Sequence, residues 1–260
     1  MAFDLDTYKR VTGRLDYDDV DFGAFRDQPL DEASLRCLRY MHDIEEHTSC
    51  YLRNLLNTKA HYDPEITTFL TMWNFEELWH GEAIGQVLAA HDEPGTLPRV
   101  TRMRERLGRR IGSPVGWMAF SAATKHFLAV HMTFGVVNEW TTQAAYSRLA
   151  SVCEHPVLAD LLRRIMRQEG RHIDFYLDKA KEHLEPLGAQ RQTRFVMKHF
   201  WNPVGSSLMP EDDTRHLART LFTGAEGEAM LQRIDRRVDR LPGLGDLHLL
   251  AGAFGRYAAV

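Results

Sequence analysis

Residues 165–176 read IMRQEGRHIDFY. Apolar side chains recur upstream and through this stretch at helical spacing: Leu158, Leu162, Ile165, then Tyr176. Glu169 and His172 interrupt that stripe where two more apolar residues belong. Residues three apart on a helix share a face, one turn apart. The chain therefore places a carboxylate and an imidazole side by side on a face patterned for burial.

An acid interrupts three more apolar stripes, joined by an imidazole in one of them. One stripe reads Leu38, Met41, Glu45, Thr48, Leu52, Leu55, and another Leu70, Trp73, Glu77, His80, Ile84, Val87. A third runs Leu128, Met132, Gly135, Glu139, Thr142, Tyr146. Each stripe is apolar except at its middle, the pattern of a four-helix bundle with a polar band across its seam. Glu46 shares a face with Arg39, His42, Ser49 and Arg53, so it is expected in solvent, and Glu76 beside the site. His126 and His131 lie off the third stripe and are not expected as ligands.

Spacing gives the order of the helices. Glu45 precedes Glu77 by 32 residues and Glu139 precedes Glu169 by 30, each interval fitting half a helix, a turn and half an antiparallel helix. Glu77 and Glu139 are 62 apart, which predicts a long crossover between helices two and three. The predicted long helices span 31–57, 63–90, 113–152 and 156–185. Asp31 is expected to cap the first, Asp63 with Pro64 the second, and Ser113 with Pro114 the third. Residues 187–260 predict three shorter helices, broken at WNPVG, MPEDD and LPGLG. The expected fold is all-α: one domain over 1–260, with an N-terminal arm (1–30), a bundle (31–185) and accessory C-terminal helices (186–260).

Four carboxylates in a dry core repel one another and carry a heavy desolvation cost. Two divalent cations remove that conflict, and two neutral histidines complete an oxygen and nitrogen donor set that suits iron or manganese. The 17 Glu and 13 His would yield about one Glu-x-x-His pair by chance, so the two pairs matter through their buried positions. The expected ligands are Glu45, Glu77, His80, Glu139, Glu169 and His172.

Composition narrows the function classes. A net charge of −4 argues against a general nucleic-acid binder. There is no apolar run long enough to span a membrane. Cys37, Cys50 and Cys153 are widely spaced and odd in number, which suggests reduced thiols. With an acidic start lacking an apolar signal core, a cytoplasmic protein is expected. Six arginines in 99–110, RVTRMRERLGRR, form a basic stretch in the crossover, read as a solvated face or a dock for an acidic partner.

The stretches IEEH, FEELWHG, NEW and QEGRH, over about residues 35–185, resemble the ferritin-like di-iron oxidases, and among them the soluble acyl-carrier-protein desaturases. The resemblance implies a ferritin-like bundle and the same six ligands. It also gives roles to two further residues: Thr142, facing the oxygen-binding side, and Trp73, supporting electron transfer or packing. It implies two iron ions (manganese being possible), O2 as co-substrate, and a desaturase-like or oxygenase-like attack on a C–H bond. The substrate would be a small molecule or a carrier-bound acyl chain. The chain shows no flavin, haem or iron–sulfur motif, so an external donor such as a ferredoxin is expected, and a homodimer is the expected assembly. Gln168 departs from the desaturases, which commonly carry an acid there. Aryl-amine N-oxygenases share the helix spacing, but their additional His position is Ile165 here. In ribonucleotide reductase small subunits the pattern comes with a radical Tyr; Tyr146, two turns from Glu139, reads as core. A ferroxidase or metal-storage protein is a further alternative, disfavoured by the long crossover and the tail.

Overall fold

The computed structural model describes residues 3–107 and 114–258. Among the described residues every regular element is helical. The chain divides into two compact units: Asp4–Ala123 with Cys153–Gln168, and Met1–Phe3 with Thr124–Val152 and Glu169–Val260.

The first unit begins with α1 (Leu5–Val11) and α2 (Ala24–Asp27), the expected N-terminal arm. It is built around α3 (Glu32–Leu55) and α4 (Pro64–Ala89), which pack along each other. Their starts follow the sequence signals. The Asp31 carboxylate accepts from the Ser34 N–H at 2.7 Å. The Asp63 carboxylate accepts from the N–H groups of Glu65 (2.9 Å) and Ile66 (3.0 Å), with Pro64 in the first turn. Leu38, Leu55, Leu70, Ile84 and Val87 are fully buried, as the stripes predict. A short 3₁₀ turn, Lys59–Tyr62, joins the two helices.

The predicted crossover contains α5 (Thr96–Leu107), and α6 (Pro114–Ala123) falls where the third long helix was expected to begin. Arg99 binds α5 down, donating to Asp43 at 3.0 Å and to Glu93 at 3.2 Å. It is therefore an internal ion-pair residue, not part of a free basic patch. Ser113, the expected third cap, and Arg109 and Arg110 lie outside the described residues.

The third long helix is shorter than its pattern predicts. Residues 124–126 interrupt it, and α7 runs from Phe127 to Cys153. The break is held by a tertiary bond, from the His126 N–H to the Gln192 side chain at 2.8 Å, which local periodicity cannot show. The fourth long helix, α8 (Pro156–His183), contributes its start to one unit and its end to the other.

Among the described residues the tail forms four helices, not three: α9 (Leu187–Phe200), α10 (Glu211–Phe222), α11 (Gly224–Val238) and α12 (Leu249–Ala258). Gly224 has φ +73°, a left-handed stop after α10 that splits one predicted helix in two. The Asp235 carboxylate caps α12 by accepting from Leu250 and Ala251 N–H at 2.8 and 3.0 Å. Arg148 on α7 donates to the Leu221 carbonyl at 3.1 Å, and Trp201 donates to Asn138 at 3.1 Å. The tail is thus bonded to α7.

Candidate metal centre

Glu45 comes from α3, Glu77 and His80 from α4, Glu139 from α7, and Glu169 and His172 from α8. All six lie within the protein, none more than 6% exposed. On α4 the His80 Nδ1 is 3.7 Å from Glu77 Oε2; on α8 the His172 Nδ1 is 3.0 Å from Glu169 Oε2. Both Glu-x-x-His pairs therefore stand one turn apart with Nδ1 toward the acid. Thr48, one turn after Glu45, accepts from the Asn74 amide at 2.9 Å and donates to the Glu45 carbonyl at 2.6 Å, tying α3 to α4 beside the acids.

Two overlapping sets emerge. Glu45, Glu77, His80 and Glu169 offer donor atoms that all lie within 4.8 Å of one another, and so do Glu77, Glu139, Glu169 and His172. Glu77 and Glu169 belong to both. Two carboxylate charges about 4 Å apart repel by roughly 4 kcal/mol even at an effective dielectric of about 20. Cations or protons must offset that repulsion in a buried cluster. Carboxylate oxygens and imidazole nitrogens, with no thiolate among them, fit two hard or borderline divalent ions.

The other expected residues lie on α4 and α7. Trp73 is 5% exposed, its ring centroid 6.3 Å from that of Tyr51. Thr142 is half-buried on α7. Its neighbour Thr141 is the residue that back-bonds to its own helix, to the Val137 carbonyl at 2.7 Å. Tyr146 is fully buried core. His131 is buried and stacked on Phe127, and burial alone pushes its imidazole down to about 3. It is a neutral core histidine. The small residue at Gly135 serves packing: a Cβ there would meet the Tyr176 ring at 2.2 Å, so the notch is filled by the protein's own side chain.

One buried acid differs from the sequence reading, and a second makes a contact which that reading did not name. Glu46, expected in solvent, is only 8% exposed, with its carboxylate against Gly81, where a Cβ would meet Oε1 at 2.6 Å. Burial, then the charge of Glu82, raises it to about 7; Arg104 opposes the shift and Asp43 adds to it. Glu76 is fully buried and accepts from the Tyr8 hydroxyl at 2.9 Å. The glycine following His80 makes room for Glu46 only once α3 and α4 are paired, and nothing local marks the Tyr8 contact.

No protein-family model matches this sequence, and no curated protein matches it.

Proposed function

We propose that this chain is an O2-dependent non-haem di-iron oxidoreductase, attacking a C–H bond of an acyl chain or a small metabolite in the manner of a desaturase or oxygenase. The observation that carries the reading is the sharing of Glu77 and Glu169 by two four-residue donor sets. Glu45 and His80 would complete one ion's ligands, and Glu139 and His172 the other's. Manganese would fit the same donors. The reading takes the four long helices as a ferritin-like bundle, in a cytoplasmic homodimer.

Bound there as a ferrous pair, the metals would supply electrons to O2 and the oxidising power for C–H cleavage. The side chains do the rest. Glu77 and Glu169 would hold both ions, and the two imidazoles would bind without adding charge. Leu38, Leu70, Ile84 and Val87, all fully buried, keep water from this part of α3 and α4. Thr142 and Trp73 keep their proposed roles toward oxygen and electron entry. An external ferredoxin-type protein would supply further electrons. No helix among the described residues is long and apolar enough to cross a membrane.

The test is to load the full chain with Fe(II) without air, then add O2, a ferredoxin system and an acyl-carrier or free acyl substrate. An oxidised substrate in proportion to O2 consumed supports the proposal. Fe(II) oxidation with no organic product, whatever the substrate offered, would assign the chain to ferroxidases instead.

A further inference from the structure

Gln168 stands immediately before Glu169 and is 8% exposed. Its amide Nε2 donates to the Gly13 carbonyl at 3.2 Å, and its Oε1 lies 2.9 Å from His80 Nε2. These two contacts determine each other. A peptide carbonyl only accepts, so the Gln168 amide nitrogen must face Gly13. That leaves the amide oxygen toward His80, and an amide oxygen also only accepts. In a neutral His80 imidazole the proton must then sit on Nε2, and Nδ1, the nitrogen near Glu77 Oε2, keeps its lone pair.

We infer that Gln168 is a positioning residue that holds His80 in the Nε2–H tautomer, and that the loop after α1 sets the direction of its amide through the Gly13 carbonyl. The consequence, that Nδ1 is the nitrogen offered to a metal, rests on the two-metal reading above; the tautomer itself does not. An acid at position 168 would accept from His80 whichever way it turned. An amide has one correct orientation and one wrong one, and the Gly13 carbonyl decides between them. The loop is fixed well enough for this. Arg164 donates to the Asp16 carbonyl at 3.1 Å and pairs with Asp19 at 2.5 Å. The Arg14 guanidinium sits 5.0 Å from the Trp79 ring centroid, and α1 is held by the bond from Tyr8 to Glu76. A Cβ at Gly13 would meet nothing within 4 Å, so its carbonyl, not its missing side chain, does the work.

The test uses the full-length, metal-free chain with 15N-labelled histidine, and long-range 1H–15N spectra that report the tautomer, with His80 assigned by its loss in His80→Gln. Wild type is expected to show Nε2–H at His80. Gln168→Leu should give a mixture. Gln168→Glu should keep the tautomer, and Gly13→Ala, which retains the carbonyl, should match wild type. Mn(II) affinity should fall about 10- to 100-fold in Gln168→Leu, the usual loss on removing a partner that orients a ligand. An Nδ1–H tautomer in wild type overturns the inference without any variant, as does an unchanged tautomer in folded Gln168→Leu. A wild-type chain that takes up no Mn(II) would sink the two-metal reading, and the spectra would still decide the role of Gln168.

Discussion

Glu77 and Glu169 each serve both donor sets, whereas Glu45 and Glu139 serve one each. Glu77→Gln or Glu169→Gln is therefore expected to cost both ions, and Glu45→Gln or Glu139→Gln chiefly one, read as bound Mn(II) per chain. In the metal-free protein the same changes relieve like-charge repulsion, so each should raise stability by about 1 kcal/mol or more. His131 gives a test by pH. Burial depresses its folded pKa to about 3, against 6.5 in the unfolded chain. Between those values the unfolded state binds more protons, so stability falls as pH falls through that window. His131→Phe should abolish this contribution, about 2 kcal/mol between pH 6.5 and 5, measured by denaturant unfolding with a chelator present. The six proposed ligands were legible because each is polar in an apolar stripe. Glu46 was not, because its burial depends on a notch at Gly81 on another helix. The role of Gln168 was not legible either, since the Gly13 carbonyl lies 155 residues away in sequence.

Between elements, close approach is the controlling quantity. Gly135→Ala on α7 would drive a methyl into the Tyr176 ring of α8 and should destabilise the protein by about 1–3 kcal/mol. Adding Tyr176→Leu should recover part of that loss, which a double-mutant cycle by thermal unfolding would measure. Local signals work where the chain itself supplies the partner. Asp63→Ala removes a cap that accepts two N–H bonds and should cost about 1 kcal/mol. Helix starts at Asp31 and Asp63 were readable for this reason. The interruption at residues 124–126 was hidden because its support is Gln192. The split between α10 and α11 was marked only by Gly224, a residue that an unaided helical pattern can absorb.

For the whole molecule, stability should depend on metal. Any ion that binds the folded chain alone stabilises it, by about 2.7 kcal/mol at a free concentration 100 times its Kd. Thermal unfolding with Mn(II) should therefore occur well above that with a chelator, and the gap should vanish in Glu77→Gln. The all-helical class was legible from the repeated 3.6-residue period, while the two-unit division of the chain left no mark in composition. The most direct test is anomalous diffraction at the iron or manganese edge from crystals of the full chain grown with that metal. Two peaks are predicted, one bound by Glu45 and His80, the other by Glu139 and His172, with Glu77 and Glu169 reaching both. Peaks elsewhere, or none at these six side chains, would contradict the account.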